Sequence, residues 1–128
     1  MADLLNDIAE FIISNNYATA IGSDIYLDYR PDGPDNIIVV NEYIGTPIEY
    51  TEAAIRRLQI QVRNKNSNDA RLLINNLYRM FNENIIYENL PNNRYGIVSP
   101  TSTPTILTTD EENRTIYYFN LSITTKID

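Results

Sequence analysis

Residues Leu58 to Phe81, LQIQVRNKNSNDARLLINNLYRMF, change period halfway along, and that change decides the architecture on either side of them. Leu58, Ile60 and Val62 alternate with Gln59, Gln61 and Arg63, the period-2 pattern of a strand with one apolar and one polar face. The polar run Asn64 to Asn68 predicts a turn, with Asn66 or Ser67 as helix cap and Asp69 well placed against the helix dipole. Ala70, Leu73, Ile74, Leu77, Tyr78 and Phe81 then recur at helical spacing, with Arg71, Asn75, Asn76 and Arg79 on the solvent side. A strand therefore runs straight into a helix whose apolar stripe must lie on a sheet.

Working back from this unit, Asp3 is placed to cap a first helix. Its stripe is Leu4, Leu5, Ile8, Phe11 and Ile12, its opposite face Asn6, Asp7 and Glu10, and its end falls near Ser14 to Asn16. Gly22 lies in the connection to a short strand, Ile25 to Leu27. In YRPDGPDNIIVVNEY, Tyr29 to Tyr43, Pro31, Gly33 and Pro34 enforce a turn. Asn36 to Tyr43 follows as a strand whose unbroken apolar run, Ile37 to Val40, predicts cover on both faces and a central place in the sheet. Gly45 to Ala54, with an exposed-looking Tyr50, is expected as an extended arm.

Working forward, Ile85 to Tyr87 is a brief apolar run, Arg94 to Ser99 a strand, and Pro100 to Pro104 a proline-bounded bend. Thr105 to Thr109 is a short strand leading into a DEEN turn and a long strand, Thr115 to Ile127. In that last strand Tyr117, Phe119, Leu121, Ile123 and Ile127 share one face while Asn120, Ser122, Thr124 and Lys126 take the other. The expected fold is α+β, a mainly antiparallel sheet with two helices packed on one face, in a single domain spanning residues 1–128.

Composition narrows the function. The 128 residues contain neither cysteine nor histidine, which removes disulfides, thiolate metal sites, thiol nucleophiles and the commonest general base and metal ligand. Seventeen acidic against ten basic residues, net charge -7, argue against a protein that grips phosphate backbones. The N-terminal MADLLNDIAEFIISNN leads with acid and is interrupted at helical spacing, unlike a signal peptide, and no apolar run reaches membrane-spanning length. The expectation is a soluble domain made in the cytoplasm, with no cofactor and no membrane partner.

Asp28, Asp32 and Asp35 around Gly33 lack the spacing and closing Glu of an EF-hand and read as turn-forming acids. Asp110, Glu111 and Glu112 read as a solvated hairpin tip. Asn113-Arg-Thr and Asn120-Leu-Ser match the glycosylation pattern, which has no meaning without a secretory signal. Arg56, Arg57, Arg63 and Lys65 form the one basic cluster, either a solvated strand edge or a strip for a protein partner. With no Ser/Lys pair, phosphate loop or dinucleotide fingerprint, the residues point to a binding or assembly domain and not to an enzyme.

Three segments taken in order carry a resemblance: the turn Tyr29 to Tyr43, the strand-to-helix unit beginning LQIQVRNKNSNDA (Leu58 to Ala70), and TPTILTTDEENRTIYYFNLSI (Thr103 to Ile123). Together they resemble the tail-terminator and minor capsid proteins of long-tailed bacteriophages. The resemblance implies a ring, six-fold in that family, that caps the tail tube, stops its polymerisation and joins tail to head. Its partners are then further copies of itself, the major tail tube protein and a head-completion or connector protein. DNA would pass through the lumen without specific binding, where an acidic wall is an advantage. The protein would sit in the virion at the tail-head junction after assembly in the host cytoplasm. The alternatives are another neck or head-completion protein of such a phage, or a small cytoplasmic regulatory or ligand-binding domain.

On this reading the polar strand faces become candidate contacts with neighbouring subunits or the lumen: Arg57, Gln59, Gln61 and Arg63 from one strand, Asn120, Ser122 and Thr124 from the other, and Tyr50 from the arm. The arms Gly45 to Ala54 and Pro91 to Pro104 are expected to reach neighbouring proteins. A solvated outer sheet face is the competing reading.

Overall fold

The structure is a computed structural model that describes residues 4–47, 53–83 and 95–126. The expected cap at Asp3, the run 85–87, Tyr50 and Ile127 lie outside them.

Helix α1, Leu4–Ser14, buries Leu4, Leu5, Ile8, Phe11 and Ile12, the stripe read from the sequence. It ends in a Schellman motif: Asn16 has φ 66°, its N–H donates to Ile13 O at 2.9 Å, and the Tyr17 N–H donates to Ile12 O at 3.2 Å. Asp7 departs from expectation. It is 4 % exposed and belongs with the buried positions, because the helix lies close enough to the rest of the chain to cover more than the narrow stripe.

Helix α2, Ser67–Glu83, starts at Asn66, whose side-chain oxygen accepts the N–H groups of Asn68 (3.0 Å) and Asp69 (3.1 Å). Both helices lie on one face of the sheet. Phe81 of α2 meets Phe11 of α1 with ring centroids 5.6 Å apart, and Phe119 beneath it at 6.2 Å; Tyr78 stands edge-on to Phe119 at 5.7 Å. This aromatic cluster joins the two helices to the sheet.

The sheet contains β1 (Ile25–Leu27), β2 (Ile37–Pro47), β3 (Ala53–Asn64), β4 (Tyr95–Pro100), β5 (Thr105–Thr109) and β6 (Thr115–Lys126), in the order β1-β2-β3-β6-β4 with β5 also paired to β6. All pairs are antiparallel except β1 with β2. The fold is thus α+β. β2 lies inside the sheet, as its unbroken apolar run predicts, while β3 takes the middle place.

Parts of both expected arms are sheet, while their residues 48–52 and 91–94 lie outside the described residues. Thr46 pairs with Ile55 and Pro47 with Ala54, so β2 and β3 form one long hairpin whose ladder runs well into residues 45–54. Within residues 91–104, β4 pairs with the second half of β6 where a strand was expected and residues 101–104 form the expected bend; β5, beyond it, pairs with the first half of β6. Residues 95–109 therefore act as one edge strand with a bulge between Pro100 and Thr105. The bulge is tied down at Asn120, whose carbonyl accepts the Thr101 N–H at 2.8 Å and whose own N–H donates to Ser102 Oγ at 2.9 Å. Prolines at positions 100 and 104 are tolerated here because an edge strand has no outer neighbour that needs their N–H.

One connection positions everything that follows. Because β1 and β2 are parallel neighbours, with Ile25 opposite Ile38, the chain leaving β1 must return across a face of the sheet before it can begin β2. The helices occupy one face, so residues 28–36 cross the other. Asp28, at φ 54°, starts the return: its N–H donates to Val40 O and its carboxylate accepts the Glu42 N–H at 2.9 Å.

Candidate functional site

Alternation along β3 and β6 puts Arg57, Gln59, Gln61, Arg63, Asn120, Ser122 and Thr124 on the face away from the helices. The ladder pairs Gln59 with Asn120, Arg57 with Ser122 and Ile55 with Thr124. Seven of the eight residues singled out from the sequence are thereby brought to one surface, and Tyr50 falls outside the described residues. They differ in burial. Arg57, Gln59, Asn120, Ser122 and Thr124 are half-buried, whereas Gln61 and Arg63 are 7 % and 2 % exposed.

Gln61 and Arg63 are covered by the chain's own crossover and not held out to solvent. Arg30 donates to Gln61 Oε1 (3.2 Å), Gln61 Nε2 donates to Gln59 Oε1 (2.6 Å), and Gln59 Nε2 donates to Asn120 Oδ1 (3.4 Å). This relay links the crossover to the residue that ties down the edge-strand bulge. Arg63 donates from Nη2 to Pro34 O, while its buried Nε has no hydrogen-bond partner among the described residues. Burial first, then the neighbouring Arg114 and Arg30 guanidiniums, lower its pKa from the usual arginine value.

Arg114 organises the same end of the sheet and is 3 % exposed. Its Nε donates to Asp110 Oδ2 (2.8 Å) and its Nη1 to the carbonyls of Asp32 (2.6 Å) and Pro34 (3.3 Å). Asp35 and Glu112 complete the ring of charge at 3.7 and 3.5 Å. Asp110 accepts the backbone N–H groups of Arg114 and Glu112, and these contacts, the Arg114 backbone first, hold its carboxyl below the usual aspartate range against a smaller opposing effect of desolvation. A carboxylate so held is a poor general base.

An open cleft of about 190 Å³ lies beside this cluster, with Arg30, Arg63 and Arg114 on its walls facing Asp32, Asp110 and Glu112. Mixed charge suits a network closed on itself better than a polyanion site. Among the described residues no group of three or more Asp or Glu is placed to hold a metal ion, and no helix is long and apolar enough to cross a membrane.

The basic cluster read from the sequence is divided by the pleat. Arg56 lies on the helix side and forms a two-pronged ion pair with Glu42 (2.5 and 2.6 Å), Arg57 lies on the opposite side, Arg63 is buried, and Lys65 is exposed near Asp35 at 3.9 Å. The arginines that do meet, 30, 63 and 114, are far apart in the chain. A signal for Arg114 was present in its spacing from Asp110, four residues across a hairpin turn. None marked Arg30.

A family model described as bacteriophage tail terminator protein matches residues 12–127, from the last turn of α1 through the whole described sheet. The chain belongs to this tail terminator family. Membership gives it a structural role in a phage tail and makes it a virion component. The comparison with curated proteins gave no match.

Proposed function

We propose that this tail terminator family member forms a ring on the last ring of the tail tube, stops tube growth there and presents the surface that joins tail to head. The observation that carries the reading is the family match over residues 12–127. The work is differential binding and needs no catalysis: the ring must fit a tube end better than another tube subunit does, and must not offer a new tube end. A net charge of -7 supports a wall past which DNA moves without being held.

The burial of Gln61 and Arg63 assigns the interface candidates different roles. The half-buried Arg57, Gln59, Asn120, Ser122 and Thr124 remain candidates for contacts between subunits or toward the lumen. Gln61 and Arg63 support that surface from within.

Electron microscopy of the purified protein, alone and mixed with tail tubes, tests the proposal. Ring-shaped oligomers seated at tube ends, with tube lengthening arrested, are the expected result. A protein that leaves tube ends bare and tube growth unchanged would overturn it.

A further inference from the structure

The arginines that meet at the crossover share their carboxylates unequally. Asp110, Glu112 and Asp35 all converge on Arg114, at 2.8, 3.5 and 3.7 Å. Arg63 and Arg30 make no ion pair among the described residues. Arg63 donates once, from Nη2 to Pro34 O; its Nε and Nη1 have no hydrogen-bond partner among the described residues, although the residue is 2 % exposed. Arg30 also donates once, to Gln61, and is otherwise exposed.

A buried cation without a counter-charge is a costly arrangement. The surroundings of Arg63 make it more so. After burial itself, the strongest influence on its pKa is the Arg114 guanidinium, which lowers it by more than Asp110 raises it. The acids of this region are therefore spent on Arg114 and do not neutralise Arg63. Both unpaired guanidiniums stand on the wall of the open cleft of about 190 Å³.

We propose that this cleft is a binding site for a single carboxylate, which takes donors from Arg63 and Arg30 and supplies the counter-charge that Arg63 lacks. The walls select the class of ligand. The planar array of guanidinium N–H groups matches the two oxygens of a carboxylate. Asp32 and Glu111 are exposed on the same cleft and have no ion pair among the described residues, so they repel every negative charge beyond the first. That disfavours a phosphate dianion and excludes a chain of phosphates. The carboxylate belongs either to a small free acid or to an Asp or Glu side chain of a neighbouring virion protein.

Acetate titrated into the isotope-labelled protein at constant ionic strength, in exchange for chloride, tests the site by nuclear magnetic resonance. The Arg63 Nε–H signal and the amides of Asp32, Gly33 and Arg114 should move saturably, with half-saturation at about 1–10 mM. Arg63→Met should abolish the response. Arg30→Gln, at an exposed position that leaves the core untouched, should weaken binding about ten-fold, and Asp32→Asn should tighten it about two- to five-fold. Inorganic phosphate, at a pH where it is chiefly the dianion, should bind more weakly than acetate. A blocked Gly-Glu-Gly peptide separates the two sources: binding at least as tight as that of acetate assigns the carboxylate to a neighbour's side chain, whereas exclusion of the peptide assigns it to a free acid. If chloride moves the same signals as far as acetate does, or if Arg30→Gln and Arg63→Met both respond as the unaltered protein does, there is no such site. Phosphate binding more tightly than acetate overturns the carboxylate assignment.

Discussion

On the helix side of β3, Leu58, Ile60 and Val62 are fully buried among apolar side chains from both helices. On the other side, Gln61 and Arg63 reach nearly the same burial beneath a proline-rich crossover, Gln61 held by the Arg30 and Gln59 side chains and Arg63 by the Pro34 carbonyl. The first face draws its stability from area and shape, and its cost on mutation follows the volume removed. The second depends on every polar group finding a partner, so its cost follows what a substitution leaves unpaired. Residues 28–36 make this second interior possible. Without them Gln61 and Arg63 would be the surface residues their alternation predicts.

Phe119→Ala tests the first face and should have the largest effect, a loss of about 3–5 kcal/mol. Phe119 is fully buried and touches Tyr78 and Phe81, so its removal opens a cavity where helix and sheet meet. Urea denaturation followed by circular dichroism measures it. A loss under about 1 kcal/mol would mean that the aromatic cluster does not anchor the helices.

On the second face, Arg114→Ala comes next, at about 3 kcal/mol, because it strips donors from the Asp32 and Pro34 carbonyls and leaves Asp110 without its cation. Arg63→Met should cost less, about 1–2 kcal/mol, since methionine replaces much of the stem and the Nε it removes is already unpartnered. The order of the two is the discriminating result. If Arg63→Met proves the more damaging, the crossover is held by Arg63, and Arg114 is secondary.

The helix side was legible in the sequence because both of its signals are local. Period 2 in β3 and β6 and the three-and-four spacing of α1 and α2 survive inside a single element, and the caps at Asn66 and Asn16 sit within a few residues of what they cap. The back face was not, because its partners are distant. Arg114 meets Asp32 and Pro34 across 82 and 80 residues, and Arg30 meets Gln61 across 31. Polar residues at alternate strand positions look the same whether water, another subunit or a returning loop covers them. The parallel pairing of β1 with β2, which brings the loop back, has no local signature in a three-residue strand. The arm expected at Gly45 to Ala54 is in part ladder for a related reason. Pro47 suggests irregular chain, yet it pairs with Ala54 toward the end of a hairpin, where a missing N–H does little harm.

Gln61→Leu isolates the amide relay and should cost about 0.5–1.5 kcal/mol, since exposed Arg30 can turn to water while Gln59 keeps Asn120. Hydrogen exchange sharpens this result. The amides of Thr101 and Asn120 at the bulge should exchange faster in the variant, whereas those of α2 should be unchanged; equal protection throughout would show that the relay stops short of the edge strand.

Acid should separate the two faces with the smallest perturbation of structure. Asp110 lies below the ordinary aspartate value of 3.8, chiefly through the Arg114 backbone hydrogen bond. Asp24 is lowered from the same value: burial raises its pKa, but hydrogen bonds from the Ala20 and Thr19 amides and the Thr19 hydroxyl outweigh it. A carboxyl whose pKa is depressed in the folded chain stabilises that chain wherever it is ionised in both states, which is above the unfolded value. The contribution is lost as pH falls through the lower folded value. Urea midpoints should therefore hold from neutrality to about pH 5 and drop below about pH 4. Asp110→Asn keeps the oxygen that accepts the backbone N–H groups but carries no charge, so it should begin less stable at pH 7 and lose less on acidification. Phe119→Ala, which alters no charge, should begin lower still and fall in parallel with the unaltered protein. If Asp110→Asn also runs parallel, the hairpin carboxylate contributes nothing that depends on its charge, and the second interior is held by guanidinium-to-carbonyl contacts alone.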